Sequence, residues 1–273
     1  MPDTTPDQNA LEALRAEINS LDDAMHDLLM RRAEVVHRLS ASQAKPAGTV
    51  LRPGREAAIL RRLLARHSGP LPRTALVRLW RELFASSIAQ QGNFTVALPT
   101  DPALARLAAE HFGVTTPQRQ HPSLGAALAA LGTRDASIAV LPWPRESDNR
   151  TEEWWTRFDA QHLSVIARLP FVSEREPPLE AAVISLHPAD PSGRDATLMR
   201  IEMPGEPSRS ALAAHCDSAR VLIMRREAGF TRALVETLEA PPTGAVILGR
   251  YAIPARGPAR GPARGTEAGG KTP

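Results

Sequence analysis

Apolar side chains recur at alternating spacings of three and four residues over the first 40 positions of the chain. This spacing places them on one stripe of an α-helix and predicts a single long helix. At 1.5 Å per residue, a helix of ~35 residues is ~50 Å long, which exceeds the width of a small domain. We therefore expect a second copy of the chain to cover part of the stripe, in a dimer of intertwined long helices. The apolar stripe consists of Leu11, Leu14, Ile18, Leu21, Met25, Leu28, Arg32, Val35 and Leu39.

One member of the apolar stripe, Arg32, is a permanent cation. An unpaired charge in a core is costly, and arginine does not escape by losing its proton. Arg32 could lie at the edge of the stripe and reach solvent, or pair with an acidic residue such as Glu56. It could also face a bound anion. Gln43 follows eleven residues later, three helical turns on, and is expected to project from the same face.

Two shorter helices are predicted. One starts after Pro53 and Gly54 and stops near residues 68–70, and the other runs from Pro72 to about Gln91. Both carry polar side chains where the pattern would place apolar ones, in the first turn of one helix and the last turn of the other. Arginine guanidinium groups make paired hydrogen bonds to carboxylates, and neutral amide and hydroxyl groups add further hydrogen bonds. Such a set suits a small ligand that carries carboxylates. The polar positions are Arg55, Glu56, Ser87 and Gln91.

Beyond Phe94, short β-like runs alternate with helical stretches rich in alanine and leucine. This alternation predicts an α/β or α+β region in which the bulky Trp143, Trp154 and Trp155 belong to the core. The predicted order is strand 94–98, helix 101–112, helix 123–131, strand 136–141, helix 151–158, strand 162–169, strand 180–186, strand 196–202, helix 207–216, strand 219–224, helix 228–239 and strand 244–250.

The composition narrows the class of protein. The 33 basic and 30 acidic residues give a net charge of only +3. The chain has one tyrosine and no run in which basic and aromatic residues alternate, so we expect no nucleic-acid partner. A single cysteine excludes internal disulfides, and no histidine or cysteine spacing indicates a metal or cofactor site. No apolar run approaches the ~20 residues that span a bilayer. With a polar N-terminus, the chain is predicted to be cytoplasmic.

The first 92 residues resemble the all-helical class of chorismate mutases. The resemblance rests on ALRAEINSLDDAMHDLLMRRAEVV, GREAAIL and LVRLWRELFASSIAQQ, and it covers about residues 9 to 92. It implies a homodimer in which the first-helix arginine, Arg15, enters the partner subunit's site, and it implies chorismate as the substrate. The implied active-site positions are Arg15, Arg32, Gln43, Arg55, Glu56, Ser87 and Gln91.

The chemistry that the resemblance implies fits these residue types. The rearrangement of chorismate is unimolecular, so arginines that clamp its two carboxylates would lower the barrier by orientation. Glu56 would accept from the substrate hydroxyl, Ser87 would support a carboxylate, and Gln91 would face the ether oxygen. Gln43 stands where the family has a lysine, and the missing charge is expected to cost on the order of 10²-fold in rate. Local unwinding that brings in Lys45 is the alternative.

The second half is faintly similar to two further modules. The segments FTVALPTDPALARLAAEHFG and GTRDASIAVLPWPRESDN resemble the first lobe of prephenate dehydratase. The stretch from TLMRIEMPGEPSRSALAAHC to GAVILGRYAIP resembles an ACT-type regulatory module. Motifs of active dehydratases are missing, so the resemblance implies stabilisation of the mutase or sensing of an aromatic amino-acid effector.

The predicted fold class is therefore an all-α N-terminal domain, with three helices and an intertwined dimer, followed by an α/β (α+β) C-terminal region. The predicted limits are residues 1–8 for a disordered N-terminus, 9–92 for the helical domain, 93–254 for the α/β region and 255–273 for a disordered tail. Two functional alternatives stay open. One is a bifunctional mutase–dehydratase, and the other is a catalytically weak helical dimer that binds a ligand or regulates.

Overall fold

The computed structural model describes residues 8–41, 50–149, 152–173, 179–217 and 219–256 of the 273-residue chain. These residues fall into two compact units. The first unit contains one helix, and the second contains everything described from Val50 onward. A long helix followed by a mixed sheet with helices confirms the predicted order of a helical N-terminal region and an α/β C-terminal region, and the dimer stays a prediction. Gln43, Lys45, most of the predicted tail and residues 1–7 lie outside the described residues.

The first unit consists of α1, Gln8–Ala41. Its 34 residues span ~51 Å at 1.5 Å per residue, which confirms the single long helix. No residue of α1 is buried. Leu14, Ile18 and Leu21 of the apolar stripe are each more than half exposed, and Leu28 is 65% exposed. The stripe is therefore open along the helix.

The second unit begins with two helices, α2 (Pro53–Arg66) and α3 (Arg73–Ala89). Proline at the start of α2 suits a helix N-terminus, where its missing N–H costs no hydrogen bond. The two helices bury apolar side chains against one another and against the sheet, around Leu60 and Phe84. They therefore belong to the same packed body as the sheet.

The sheet and the helices that connect its strands follow in regular order. The remaining elements are β1 (Val96–Pro99), α4 (Pro102–Phe112), β2 (Gln118–His121), α5 (Leu124–Gly132), β3 (Ile138–Pro142), a 3-10 helix (Trp154–Arg157), β4 (Ser164–Leu169), β5 (Val172–Ser173), β6 (Ala181–Ser185), β7 (Asp195–Pro204), α6 (Arg209–His215), β8 (Arg220–Glu227), β9 (Phe230–Thr237), β10 (Val246–Ala252) and β11 (Ala255–Arg256).

Nine of these strands form one sheet in the order β2-β1-β3-β6-β4-β10-β7-β9-β8. The first three are parallel and are connected by α4 and α5, as crossover connections between parallel strands require. The pairs from β3 to β8 are antiparallel, except that β10 runs parallel to β4. A second sheet pairs β5 with β11, so Ala255 and Arg256 are ordered although they were predicted to begin the tail.

Three local predictions were wrong. The predicted helix 228–239 is the strand β9, which a tight turn at Gly229 (φ 88°) joins to β8 in a hairpin. Its alanine and leucine pair with β7 and β8, and this tertiary pairing outweighs their helical propensity. The predicted helix 151–158 is only the 3-10 turn Trp154–Arg157. The polar strand β2 was missed because, as an edge strand, it carries no apolar alternation.

The three tryptophans lie in the largest part of the core. Trp143, Trp154 and Trp155 are 5%, 7% and 0% exposed and pack with residues of β3, β4, β6 and β7. Their predicted role as core residues is confirmed. The sheet is thus covered on one side by these aromatics and α5, and on the other by α2, α3 and α4.

Candidate functional site

The first turn of α2 carries two of the predicted site residues. Arg55 is exposed, whereas Glu56 is buried on the face of α2 that packs within the second unit. The Glu56 carboxylate accepts a hydrogen bond from Arg81 of α3, with 2.8 Å between Arg81 Nη1 and Glu56 Oε2. The two side chains are only 5% (Arg81) and 11% (Glu56) exposed. A buried ion pair therefore joins α2 to α3 at a predicted site residue.

Burial controls the ionisation of this pair. It raises the pKa of Glu56 to about 7, because a buried carboxylate loses its hydration; the Arg81 charge opposes this rise and the Asp190 carboxylate adds to it. Burial also lowers the pKa of the Arg81 guanidinium. The pKa of the buried His111 imidazole falls well below its ordinary value, through burial first and the Arg81 charge second. Burial therefore favours the neutral form of Glu56, and the Arg81 charge favours the carboxylate.

Asp190 caps the N-terminal end of α2 from far along the chain. Its two carboxylate oxygens accept hydrogen bonds from the backbone N–H groups of Gly54 and Arg55, at 2.9 and 3.1 Å. Arg52, at the N-cap position, makes no side-chain cap, and its Nε lies 3.4 Å from the Asp190 carboxylate. Helix N–H groups that lack an intrahelical acceptor need an outside partner, and Asp190 supplies it.

The approach of this helix end to the Asp190 segment requires glycine. A Cβ at Gly54 would lie 2.0 Å from the Asp190 carbonyl oxygen and 2.8 Å from the Pro191 carbonyl carbon. Two turns later, Arg61 donates to Ser192 Oγ at 2.9 Å and to the Ile253 carbonyl at 2.8 Å. These contacts fix α2, and with it Arg55 and Glu56, against loops that border the sheet.

The internal space beside Glu56 is small. A cavity of about 10 Å³ lies under α2, close to the volume that a single water molecule needs. The surrounding sheet and helices therefore leave no room for a substrate on this side of Glu56. The cavity is lined by Pro53, Glu56, Ala57, Arg81, His111, Ile166, Ala167, Arg168, Phe171 and Ala252.

Ser87 and Gln91 lie together at the C-terminal end of α3. The Ser87 hydroxyl donates to the Leu83 carbonyl at 2.7 Å, and Gln91 Nε2 donates to the Ser87 carbonyl at 2.5 Å. Gln91 itself follows the last residue of α3, Ala89, and its backbone N–H bonds to the Ile88 carbonyl. The amide is thus held against the end of the helix.

An open cavity of about 550 Å³ lies beyond this end of α3. Its walls are the last turn of α3 and the loops that precede β1, β2 and β3, with Arg119 and Asp135 forming an exposed ion pair at 3.7 Å. Neither Ser87 nor Gln91 lines it, so it does not coincide with the predicted site. Its lining residues are Ala85, Ile88, Ala89, Gly92, Asn93, Phe94, Thr95, Thr115, Thr116, Pro117, Arg119, Arg134, Asp135, Ala136 and Ser137.

A second buried charge cluster lies deeper in the sheet. Arg168 makes two hydrogen bonds to Glu180, at 3.0 and 2.8 Å, and one to Glu236 at 3.0 Å, and its guanidinium stacks 4.3 Å from the Trp143 ring. The adjacent Tyr251 hydroxyl has a pKa well above its ordinary value, because of burial and then of the Glu236 charge. This cluster ties β4 to β9 across the sheet.

The predicted site residues fall into three groups. Arg15 and Arg32 lie on α1 in the first unit, and Gln43 is outside the described residues. The remaining four lie on α2 and at the end of α3 in the second unit. Within that unit the structure pairs Ser87 with Gln91, but Glu56 bonds to Arg81 and not to either of them. The site as a whole stays a prediction.

Sequence reasoning missed Arg81 and Asp190. A signal for Arg81 exists, because it stands four residues after Val77 and ahead of Phe84 and Ile88, on the stripe of α3 that is buried. Leu79 of the same helix, although apolar, is 51% exposed. Asp190 had no local signal, because it reaches α2 from 136 residues away.

The helical segment matches the model of a known protein family. Residues 14–92 match the model of the family chorismate mutase type II. The resemblance predicted for this segment is confirmed, and all seven predicted site positions lie inside it.

Several proteins that are similar to this chain are described as bifunctional enzymes, with chorismate mutase as one of the two activities. A bifunctional chorismate mutase/prephenate dehydratase of Neisseria gonorrhoeae is 32% identical over 139 residues, 50% of this chain and 36% of the relative. The protein of the same description from Pseudomonas aeruginosa is 31% identical over 41% of this chain and 33% of the relative. Matches thus span about a third of the curated relatives' length. The longer alignment covers more residues than precede Gly92, so similarity continues past α3.

Among solved structures, prephenate dehydratase from Streptococcus mutans has a TM-score of 0.42 at 11% identity, over 60% of this chain and 99% of its own.

Across the described residues, no helix is both long and apolar enough to cross a membrane.

Proposed function

We propose that this protein is a cytoplasmic chorismate mutase that rearranges chorismate to prephenate in aromatic amino-acid biosynthesis. The observation that carries the proposal is the match of residues 14–92 to chorismate mutase type II. That segment holds four basic or acidic site positions, Arg15, Arg32, Arg55 and Glu56, together with three neutral ones. Relatives named as bifunctional chorismate mutase/prephenate dehydratase support the same activity.

The proposed mechanism needs no covalent intermediate. Arginines bind the two carboxylates of chorismate and hold the compact conformer from which the bond rearrangement proceeds, so orientation lowers the barrier. As the ether C–O bond breaks, negative charge grows on its oxygen, and fixed donors there stabilise the transition state more than the substrate. Gln91 and Gln43 are the proposed donors, and Glu56 accepts from the substrate hydroxyl.

A homodimer is part of the proposal, with Arg15 of each copy serving the other copy's site. The exposure of α1 supports it, because ten large apolar side chains of this helix are at least 37% exposed. Such a surface is larger than solitary soluble helices normally leave in water. A second copy of α1 is the occupant with a matching apolar stripe.

The test of the mutase is the loss of chorismate absorbance with full-length wild-type, Arg32→Ala and Gln43→Lys proteins. Turnover is expected for the wild type, with a loss of at least about 10²-fold in Arg32→Ala, because a carboxylate clamp is removed. Arg38→Ala, which removes an exposed arginine from the same helix, is the matched control.

Gln43→Lys is expected to raise the rate, because a cation stabilises the developing negative charge better than an amide. A fall in rate would instead assign that role to Lys45. A wild-type protein without turnover, or an Arg32→Ala variant as active as the wild type, would contradict the proposal and favour a helical dimer that only binds a ligand.

A bifunctional mutase–dehydratase is the second candidate. It is favoured by relatives that are described as bifunctional and by the continuation of similarity past Gly92. Formation of phenylpyruvate from prephenate by the full-length protein would establish it. If none forms, a regulatory role of the C-terminal region is tested by calorimetric titration with phenylalanine, tyrosine and tryptophan, where absence of heat removes the aromatic effector.

A further inference from the structure

The two α2 residues of the proposed mutase site are held by groups that the sequence match did not single out. Asp190 bonds to the backbone N–H of Arg55 itself, at 3.1 Å, and to that of Gly54 at 2.9 Å. Arg81 bonds to the carboxylate of Glu56 at 2.8 Å. Both contacts lie in the second unit, and one of them comes from the loop before β7.

We propose that Arg81 and Asp190 are positioning residues of the mutase site. Asp190 fixes the turn that carries Arg55 and Glu56, and Arg81 holds the Glu56 carboxylate through its Oε2 atom. The inference rests on the proposed function. It also gives the sheet region a part in positioning the site, because Asp190 lies far outside residues 14–92.

Three observations on α2 support a fixed orientation. The Asp190 backbone approaches Gly54 so closely that no Cβ fits between them. Arg61 bonds to Ser192 and Ile253, so a second turn of α2 is tied to the same loops. The Arg81 guanidinium lies 5.8 Å from the centre of the Phe171 ring, which restricts its movement under the ion pair. Together these contacts leave the first turn of α2 little freedom to rotate.

Arg81 also keeps Glu56 in the form that an acceptor needs. The charged groups that face Glu56 are Arg81 from α3, Asp190 from the loop before β7, and Arg168 from β4, with His111 of α4 nearby. Arg168 is already bonded to Glu180 and Glu236. Arg81 is therefore the cation that stabilises the Glu56 carboxylate. Removing it leaves a desolvated carboxyl that gains a proton at neutral pH.

The experiment compares full-length wild type with Arg81→Met, Arg81→Lys and Asp190→Asn, and uses Arg78→Met as the control. Arg78 lies on the same helix but is exposed. For each protein, kcat and KM for chorismate are measured from pH 5.5 to 9. The titration of the Glu56 carboxyl is followed by carbon NMR, with Glu56→Gln identifying its signal.

We expect Arg81→Met to lower kcat at pH 7 by about 10- to 100-fold, with partial recovery at pH 9, because its Glu56 titrates at higher pH. KM should change by less than about threefold, since the lost interaction acts on the transition state. Arg81→Lys should restore most of the rate. Asp190→Asn should lower kcat by about 3- to 10-fold through a weaker cap, yet move the Glu56 titration to lower pH.

Opposite movements of the titration in Arg81→Met and Asp190→Asn distinguish positioning from a loss of folding. Unchanged pH profiles and titrations in both variants would overturn the inference. If Arg81→Met does not fold, Arg81→Lys and Asp190→Asn decide the result. If the wild type does not convert chorismate, the proposed function fails by itself. In that case the titrations still decide whether Arg81 and Asp190 set the charge of Glu56.

Discussion

The helices α1, α2 and α3 are all amphipathic, but they differ in how far their apolar faces are buried. In α1, Leu28 is 65% exposed and no residue is buried. In the second unit, Leu60 is fully buried, and even the charged Glu56 and Arg81 are removed from water. Packing within the second unit buries α2 and α3, whereas the apolar stripe of α1 is exposed. The proposed dimer would cover that stripe, so substitutions on α1 and in the second unit test assembly and packing separately.

The largest expected effect comes from a charge on the apolar stripe of α1. Leu28→Asp should convert the proposed dimer to a monomer, because each copy would bury an unpaired carboxylate at the interface. Mutase turnover should fall by at least about 100-fold, since Arg15 no longer reaches the other site. Sedimentation velocity and the chorismate assay measure the two effects.

His26→Asp supplies the matched control, because it places the same carboxylate on the opposite side of α1. It should leave both mass and rate near the wild-type values. A dimeric Leu28→Asp protein, or a wild-type monomer with full activity, would break the comparison between α1 and the second unit.

The next effect concerns stability within the second unit. Arg168→Met should lower the free energy of unfolding by about 3–5 kcal/mol, because it leaves the buried carboxylates of Glu180 and Glu236 without their cation. Urea unfolding followed by tryptophan fluorescence measures it, since Trp143 packs on the same guanidinium. Arg106→Met, which breaks the exposed pair with Glu110, should cost less than about 0.5 kcal/mol. Equal losses in both variants would contradict the role assigned to burial.

The smallest expected effect is the pH dependence that Glu56 adds to stability. Its folded-state pKa is raised from 4.5 to about 7, so the folded protein prefers the neutral form. This contribution is present in full below pH 4.5 and is lost as the pH rises through 7. Relative to Glu56→Gln, the wild type should therefore lose up to about 3 kcal/mol between pH 4.5 and 8.

Urea unfolding at several pH values measures this difference, with Glu110→Gln, an exposed carboxyl on α4, as the control. The quantity compared is the difference in unfolding free energy between wild type and Glu56→Gln. If the wild type does not lose stability relative to Glu56→Gln as the pH rises, pairing with Arg81 offsets or outweighs burial. Activity is expected to move the other way, since the proposed role of Glu56 needs the carboxylate. The site would then trade stability for function at neutral pH.

Local patterns predicted most elements well. The stripe from Leu11 to Leu39 gave α1, and the β-like runs gave β1, β3, β4, β6, β7, β8 and β10 within a few residues. Prediction failed where tertiary pairing outweighed propensity, as at β9, and where an edge strand lacked alternation, as at β2. On α3, the charged Arg81 is buried whereas the apolar Leu79 is 51% exposed, an arrangement that residue type alone does not predict.

The amino-acid sequence by itself determined the long helix, the alternation of strands and helices that follows, and the similarity of residues 14–92 to chorismate mutase type II. These depend on side-chain periodicity and on residue identities at fixed spacings, which are local properties. Only the tertiary structure decided that Asp190 caps α2, that Arg81 pairs with Glu56, and that nine strands join in one sheet. Contacts between separate elements depend on which surfaces exclude water together, and the local spacing of residues does not determine them.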